Sequence, residues 1–287
     1  MPLKNTLKFC LLIMLLAFSI TGCSFFPAVS INGTPVTSGN DTGNALELNK
    51  WKPIAAGMDL RYEDWKSPND DEDIVTIIRL NPQKVQFSVG YDPDNPLTIS
   101  QWMTKEKANV IINGGYFSQA TGNAGIGTGI TASGLVITDG QAAGTNYADH
   151  GGMFSVNPQG KVDLRYMGQR PFDPNTEQLQ YATQSLPMLI TPGKKRANFN
   201  ANEATSRRSI VARDTSGNIL FIASPNQAFT LDDVTDHLMQ SDLPIDSALN
   251  LDGGTSTALY ARGTTDQQVS IDQSYGKLPI VIIAKAK

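Results

Sequence analysis

Short apolar runs, many of them alternating or rich in β-branched residues, recur along the chain beyond residue 50. Runs of this kind, bounded by turn-forming residues, are typical of β-strands. We predict strands at residues 74–78, 85–89, 110–112, 135–137, 153–156, 209–212, 220–223, 258–260 and 280–283. The cluster Asn81-Pro82-Gln83 and the segment Asp214–Asn218 are predicted turns between two pairs of these strands.

Only two segments have helical spacing of apolar residues. Thr98 and Gln101 form a capping-box pattern, which predicts a helix over residues 98–108. Thr230 is a suitable N-cap for a second helix over residues 230–239. We find no internal linker or repeat after residue 50. The pattern therefore predicts one α+β domain over residues 51–287, sheet-rich, with mixed or antiparallel strands and few helices.

The first 22 residues have the pattern of an export signal. Lys4 and Lys8 precede an apolar run over residues 9–20, which is too short to cross a bilayer as a helix. The run ends in Ile20-Thr21-Gly22-Cys23, which resembles the lipobox of bacterial lipoproteins. That resemblance implies cleavage after residue 22 and a lipid on Cys23. The alternative is an ordinary secretory signal with a chance cysteine.

The segment that follows the signal has the composition of a tether. Residues 23–50 are rich in Ser, Thr, Gly, Asn and Pro, and they bury too little apolar surface to fold alone. We therefore expect a domain anchored to a membrane of the cell envelope through the lipid on Cys23. Ser24, in place of Asp, favours the outer membrane if the host is Gram-negative.

Charge and cysteine content exclude several function classes. The formal net charge is −4, and it becomes more negative once Lys4 and Lys8 are removed with the signal. An acidic chain without a long basic run is a poor partner for nucleic acid. Cys10 lies in the signal and Cys23 would carry the lipid, so the mature domain has no thiol for a disulfide or for catalysis.

A first candidate site lies where the strand at 110–112 runs into Asn113-Gly114-Gly115. Two glycines permit unusual backbone angles and close approach of a ligand, and Asn113 presents an amide that both donates and accepts. The alternative is a simple hairpin turn, because Asn-Gly is a favoured turn dipeptide.

A second candidate lies in the segment from Ala248 to Tyr260, where a strand delivers Asp252 into Gly253-Gly254 and then Thr255-Ser256-Thr257. Backbone N–H groups at glycines, beside hydroxyl donors, form a cradle for an anionic oxygen. A carboxylate at its edge can orient a water molecule. Strand, carboxylate, two glycines and three hydroxyls together favour a functional site over a structural turn.

A third candidate is the pair Arg207-Arg208 at the start of an apolar strand. Arginine grips phosphate with parallel hydrogen bonds, although an exposed surface pair is an equal alternative. His150 lies in a loop and is a further substrate-binding candidate, whereas His237 is expected at the surface. Two histidines and no usable cysteine argue against zinc.

In their order along the chain, these segments resemble the phosphodiester glycosidase family from about residue 110 to the C-terminus. The matching positions are Asn113, Gly114, Gly115, Arg208, Asp252, Gly253, Gly254 and Ser256. Two departures stand out. Thr255 replaces a third glycine, and Ser224-Pro225-Asn226-Gln227 replaces the commoner Asp-Gly-Arg. Residues 51–109 carry no motif of the family, and the acidic run at residues 70–73 is interpreted as a solvated loop.

The resemblance implies an exported hydrolase that cleaves the bond between a sugar's anomeric carbon and a phosphate. Asp252, Asn113 and Arg208 would be catalytic. The other candidates would bind the carbohydrate phosphodiester: Gly114, Gly115, Gly253, Gly254, Thr255, Ser256 and His150. The sequence establishes no cofactor, but Asp252 with Asn113 and loop carbonyls could hold a hard cation such as Ca²⁺. The alternative is a non-catalytic, glycan-binding lipoprotein of the same fold.

Overall fold

Residues 46–119, 129–200, 204–263, 268–272 and 276–287 are described by the computed structural model of the chain. The predicted signal, the lipidation site Cys23 and all but the last residues of the predicted tether lie outside these ranges. Within them, no helix has both the length and the apolar character needed to cross a membrane.

Strands dominate the described residues, as the sequence predicts, and twenty of them are numbered here in chain order. Their bounds are β1 Lys52–Ala55, β2 Met58–Lys66, β3 Glu72–Leu80, β4 Val85–Tyr91, β5 Val110–Asn113, β6 Phe117–Gln119, β7 Ile130–Ala132, β8 Val136–Thr138, β9 Gln141–Ala143, β10 Gly152–Val156, β11 Val162–Tyr166, β12 Tyr181–Ser185, β13 Met188–Thr191, β14 Lys195–Arg196, β15 Ser206–Asp214, β16 Ile219–Phe229, β17 Ile245–Asn250, β18 Ala258–Arg262, β19 Gln268–Asp272 and β20 Ile280–Ala286. Each predicted strand overlaps one of these.

Three larger sheets and one hairpin organise the strands. The largest sheet has the order β1-β2-β3-β16-β15-β17-β13-β14. The other two have five strands each, β11-β10-β12-β8-β9 and β19-β18-β5-β20-β4, and β6 pairs with β7. Neighbouring strands are antiparallel throughout these sheets. The fold is the sheet-rich α+β class predicted from the sequence.

Both faces of the eight-stranded sheet are covered by apolar contacts. One face packs against the two five-stranded sheets through residues such as Phe87, Phe154 and Phe221. The opposite face, with Ile77, Ile210 and Ile222 among its members, packs against the second helix. Because side chains alternate along a strand, the two apolar sets show which face of the sheet each polar residue at a strand end occupies.

The described residues contain two α-helices, both where the sequence predicts them. Helix α1 spans Ile99–Glu106, and Thr98 and Gln101 form the predicted reciprocal capping box. Helix α2 spans Leu231–Gln240 and begins at the predicted N-cap, Thr230. A short 3-10 turn over Gly254–Ser256 follows β17. This turn carries the second motif, so it belongs to the candidate site.

The prediction for Asp73 is wrong, whereas His237 lies at the surface as predicted and is only partly exposed. Asp73 is not part of a solvated loop, because it lies in β3 and only 3% of its surface is exposed. His237 does not simply face solvent: its ring stacks on Trp65 at 4.9 Å and its Nε2 lies 2.6 Å from the carbonyl oxygen of Lys66. Contacts from a distant strand, which local sequence does not reveal, bury Asp73 and cover part of His237.

Candidate active site

The three motifs meet at one end of the eight-stranded sheet. Arg208 lies near the start of β15, and Asp252 follows β17, which pairs with β15. The Leu251 N–H donates to the Ser209 carbonyl over 2.8 Å and continues this pairing into the second motif. Asn113 ends β5 in a different sheet, and the Asp252 N–H donates to the Gly114 carbonyl over 3.1 Å. Backbone hydrogen bonds therefore join all three segments.

Asn113 holds these segments together and has little capacity left for a ligand. Its side chain is 1% exposed, and its Nδ2 donates to the carbonyl oxygens of Asp252 (2.6 Å) and Gly114 (3.4 Å). Its Oδ1 accepts from the Ser209 hydroxyl at 2.7 Å and from the Ala258 N–H at 3.1 Å. An amide makes about four hydrogen bonds, so the protein uses all of them. The geometry makes Asn113 a positioning residue and not one that contacts the reacting atoms.

The space beside the two glycines after Asn113 is filled by other parts of the protein and is not open to a ligand. A Cβ on Gly115 would lie 2.1 Å from the Gln184 carbonyl oxygen, and one on Gly114 would lie 2.4 Å from Ile280 Cγ2. Both residues are buried, and neither has a positive φ. The expectation of direct substrate contact at Gly114 and Gly115 is therefore corrected. Their small size lets the sheets approach at the site.

The turn after Asp252 is built around its carboxylate. The Gly253 N–H donates to Oδ1 of Asp252 over 2.9 Å, and the Ser256 side chain hydrogen-bonds the same carboxylate. Gly254 has a φ of +58°, a region that favours glycine, and a Cβ on Gly253 would lie 2.7 Å from the Arg207 carbonyl oxygen. The Ser256 N–H is bonded to the Gly253 carbonyl. Part of the predicted cradle thus serves Asp252 itself, whereas Thr255 is exposed at its rim.

Burial raises the pKa of Asp252 from 3.8 to about 6, although the hydrogen bonds from Ser256 and Gly253 act in the opposite direction. A carboxyl that leaves water without a cation to compensate it favours its neutral form. Among the described residues Asp252 has no ion pair. A pKa near 6 allows this group to change protonation state during a reaction near neutral pH.

Arg208 is a buried cation that lacks a carboxylate partner within the described parts of the chain. It is 8% exposed, and its contacts are with backbone: Nε donates to the Phe229 carbonyl at 3.1 Å and Nη2 to the Ala204 carbonyl at 2.9 Å. Burial lowers its pKa from the ordinary value. These bonds leave Nη1 and part of Nη2 for another acceptor. The negative charge of Asp233 opposes this lowering of the pKa, and the remaining donors of the guanidinium suit an anionic ligand.

Two residues absent from the sequence prediction complete the site. Burial raises the pKa of Tyr116, and the negative charge of Asp252 raises it further. The positive charge of Arg208 lowers it. Asn250 donates from Nδ2 to the Tyr116 hydroxyl (2.8 Å) and to the Leu186 carbonyl (3.0 Å). The Oδ1 of Asn250 is buried and has no hydrogen-bond partner within the described structure. Asn250 belongs to the segment from Ala248 to Tyr260 and Tyr116 directly follows Gly115, so proximity to the motifs is the signal that the sequence offers.

His150 lies apart from these charges. Its side chain is 76% exposed and pairs with Asp149 at 2.6 Å. Its Nδ1 also lies 3.2 Å from the carbonyl oxygen of Tyr147, on the same loop. The loop is held to β12 by the Tyr147 N–H, which donates to Gln184 Oε1 over 2.9 Å. His150 therefore has no contact that joins it to Asp252 or Arg208 in the ranges that the structure describes.

The expected cation ligands do not converge. Asn113 Oδ1 already accepts two hydrogen bonds, and its amide nitrogen, not its oxygen, faces the backbone of Asp252. Within the described residues, no group of three or more His, Cys, Asp or Glu side chains has the arrangement of a metal site. Asp252 and Asn113 thus offer no joint site for Ca²⁺ in this geometry.

Comparison with protein families gives a match over more than half of the chain. The family model described as phosphodiester glycosidase matches residues 106–281, which contain all three motifs. No curated protein sequence matches the chain.

Comparison with solved structures gives several of similar fold. A hypothetical protein from Synechocystis has a TM-score of 0.60 and 15% identity over 81% of this chain, which spans 62% of that protein. The zebrafish N-acetylglucosamine-1-phosphodiester alpha-N-acetylglucosaminidase catalytic domain, auto-inhibited by its pro-peptide, has a TM-score of 0.56 and 16% identity. This match covers 85% of the present chain and 86% of the zebrafish one. At such identities the likeness establishes the fold.

Proposed function

Because the chain belongs to the phosphodiester glycosidase family, we propose that it hydrolyses a sugar 1-phosphodiester at the bond between the anomeric carbon and the phosphate oxygen. Water adds its oxygen to the anomeric carbon. The C–O bond breaks, and its electron pair leaves with the phosphate. The products are a free sugar and a phosphomonoester, and the proton of water passes to a base or to the solvent.

The leaving group explains why one carboxylate suffices. Ordinary glycosidases use a carboxylic acid to protonate the departing oxygen and a second carboxylate as base or nucleophile. A phosphate monoester is a far better leaving group than an alcohol, so a cationic pocket can replace the acid. The site offers that combination in Asp252 and Arg208.

The observation that carries the proposal is a buried arginine at the same strand ends as a partly buried aspartate, neither with an ion-pair partner among the described residues. Arg208 is anchored by backbone carbonyls, and Asp252 by the Gly253 N–H and Ser256. Burying both charges without ion-pair partners costs free energy. A substrate that is anionic at the phosphate and becomes cationic at the anomeric carbon would compensate both.

The residues then take separate roles. Ionised Asp252 activates water or stabilises positive charge on the sugar ring as the bond breaks. Arg208 binds the phosphate, and the exposed part of the turn at Gly254 and Thr255 contacts substrate. The Tyr116 hydroxyl, placed beside both charges, orients the phosphate or the attacking water. Asn113 acts indirectly by holding the backbone of Asp252.

A second candidate function is glycan binding without catalysis. Nothing in the site favours it, because a protein that only binds neutral sugars gains nothing from a carboxyl whose pKa is shifted to about 6. Export and a lipid anchor on Cys23 remain part of the proposal, and they rest on the sequence of residues 1–23. An envelope location would give the enzyme access to phosphodiester-linked envelope or extracellular glycans.

The test is incubation of the protein with an N-acetylglucosamine 1-phosphodiester, compared with an Asp252→Asn variant. We expect free sugar and phosphomonoester from the wild type and at most about a thousandth of that rate from the variant. Mass-spectrometric detection of lipid on Cys23 after expression in a bacterial host tests the anchor separately. Full activity of Asp252→Asn would exclude the assigned chemistry, whereas sugar binding without turnover by the wild type would favour the glycan-binding alternative.

A further inference from the structure

Asp73, from the part of the chain that carries no family motif, lies on the same face of the sheet as the proposed site. Its neighbour on that face, Val75, packs against helix α2, as do Ile222 and Ile210 on the next strands. Ser224 lies two residues after Ile222, Arg208 lies two residues before Ile210, and Ser224 and Arg208 are directly opposite one another. Asp73, Ser224 and Arg208 therefore lie on one face of β3, β16 and β15.

Besides a backbone hydrogen bond from Ile74 on its own strand, the Asp73 carboxylate is bonded to one short segment of β16. Its Oδ2 accepts from the Ser224 hydroxyl and from the Asn226 N–H at 2.9 Å, and its Oδ1 accepts from Asn226 Nδ2 at 2.8 Å. Burial raises the pKa of Asp73 against these hydrogen bonds. Among the described residues no cation pairs with this buried carboxylate, so its burial costs desolvation energy that the hydrogen bonds only partly offset.

The segment that Asp73 holds is an irregular part of the sheet. On β15, Ser206 and Arg208 are two positions apart, whereas their partners on β16, Phe229 and Ser224, are five apart. Residues 225–228 therefore bulge from the ladder. Bulges of this kind turn side chains and carbonyls away from their regular directions, and they need anchors to keep one geometry.

Both arginines of the third motif depend on this bulge. Arg207 Nε donates to the Pro225 carbonyl at 3.0 Å, and Arg208 Nε donates to the Phe229 carbonyl at 3.1 Å. One acceptor is the first residue of the bulge, and the other is the residue that directly follows it. A shift of the bulge would therefore move the anchors of both guanidinium groups. Arginine grips phosphate only when its planar fork is correctly oriented.

We propose that Asp73 is a positioning residue for the phosphate-binding arginines, acting through the Ser224–Phe229 bulge. The proposal rests on the proposed function, because it assigns the phosphate to Arg208. Three strand spacings of about 4.8 Å separate Asp73 from the strand of Asp252, a distance of about 14 Å. That is wider than the separation of paired carboxylates in glycosidases. Asp73 thus acts on substrate affinity and not on the bond that breaks.

The chemistry of the Asp73–Asn226 pair supplies a rescue experiment. In Asp73→Asn one carboxylate oxygen becomes an amide nitrogen, so residue 73 loses its charge and one of its two acceptor atoms, and the bonds that hold the bulge weaken. In the double variant Asp73→Asn/Asn226→Asp the donor and acceptor exchange places, and the bond forms again in the opposite direction. The remaining oxygen on residue 73 still accepts from Ser224 and from the N–H of residue 226.

We expect Asp73→Asn to raise the KM for the sugar 1-phosphodiester about tenfold or more with a small change in kcat, and to weaken inorganic phosphate binding in parallel. The double variant should restore both values to within about threefold of wild type. Asp59→Asn is the matched control, since Asp59 is a carboxylate on β2 that pairs with Arg79 away from the site. This control should change neither value.

Calorimetric titration with inorganic phosphate tests the proposed role of Asp73 even if the protein hydrolyses no diester. If the wild type binds phosphate but hydrolyses no diester, the proposed reaction fails, and the loss and rescue of phosphate binding still test Asp73. A wild type that binds no phosphate would overturn the inference. Unchanged KM and phosphate affinity in a folded Asp73→Asn variant would also overturn it. A binding defect that persists in the double variant, while its thermal stability equals that of the wild type, would also overturn the inference.

Discussion

The side-chain amide of Asn113 donates a 2.6 Å hydrogen bond to the backbone carbonyl of Asp252, 139 residues later in the chain. The same amide accepts from the Ser209 hydroxyl, which lies next to Arg208. One buried side chain thus fixes the relative positions of the strands that carry the proposed carboxylate and the proposed phosphate ligand. The first and second motifs work as one unit because of this contact.

Replacement of Asn113 by Ala should therefore damage the fold and the site together. It leaves the Ser209 hydroxyl, the Ala258 N–H and the Asp252 carbonyl without their partner, and each unsatisfied buried group costs about 1–3 kcal/mol. We expect the free energy of unfolding, measured in urea, to fall by about 3 kcal/mol or more. Asn81→Ala, which removes one exposed hydrogen bond, is the control and should cost less than about 1 kcal/mol. Equal losses in the two variants would refute the central position of Asn113.

The raised pKa of Asp252 predicts the acid side of the activity profile. The proposed chemistry requires the ionised carboxylate, so kcat/KM should be level above pH 6 and fall about tenfold per unit below it. A profile that stays level down to pH 4 would show that ionised Asp252 is not needed.

The same pKa makes a prediction about stability. The folded state holds the Asp252 proton more tightly than an unfolded chain, whose pKa is near 3.8, so stability is lost as pH rises from about 4 to 6. We therefore expect Asp252→Asn to be more stable than wild type at pH 7, with the difference disappearing at pH 4. Urea unfolding at both pH values measures this. A wild type that is the more stable protein at pH 7 would contradict it.

Arg208→Gln removes the proposed phosphate ligand while keeping a hydrogen-bonding side chain. We expect the KM for the phosphodiester to rise about tenfold or more, since charge-assisted bonds to phosphate are about twice as strong as neutral ones. Inhibition by inorganic phosphate should weaken equally. Arg213→Gln on the same strand is the control, because the Arg213 side chain is 40% exposed and its ion pair with Asp163 is long, at 3.9 Å. Similar KM values in the two variants would remove Arg208 from the site.

Tyr116→Phe isolates the contribution of the hydroxyl that lies beside Asp252 and Arg208. Its ring remains, so we expect a modest change in stability but a fall in kcat of about tenfold to a hundredfold. Tyr181→Phe removes a tyrosine hydroxyl that donates to Asp139 at 2.7 Å outside the site, and its kcat should be unchanged. Steady-state kinetics of the two variants decide whether the Tyr116 hydroxyl takes part in the reaction.

Sequence patterns predicted the local structure well and the long-range contacts poorly. Thr98 and Thr230 were recognised as helix caps because capping depends on residues within one turn. The motif of Asp252 was recognised because the carboxylate, the glycines and the hydroxyls are adjacent in the chain. Asp73 was misread because its partners, Ser224 and Asn226, are about 150 residues away.

The misassigned glycines illustrate the same limit. Gly115 in a motif suggests space for a ligand, but only the folded chain reveals that the Gln184 carbonyl fills that space. Likewise, a local pattern indicates that Asn113 is a polar strand end but not that four protein groups saturate it. Where the role of a residue depends on which sheet lies opposite it, only the structure reveals that role.

Hydrolysis in ¹⁸O-labelled water tests the central claim most directly, because it identifies the bond that breaks. The wild type would be incubated with an N-acetylglucosamine 1-phosphodiester at pH 7, with Asp252→Asn as the control, and both products analysed by mass spectrometry. The account predicts that the label enters the anomeric hydroxyl of the released sugar, that the phosphomonoester stays unlabelled and that Asp252→Asn releases almost none of either product. Label in the phosphate, with sugar phosphate as a product, would mean cleavage of a P–O bond and would contradict the assignment of the protein as a glycosidase.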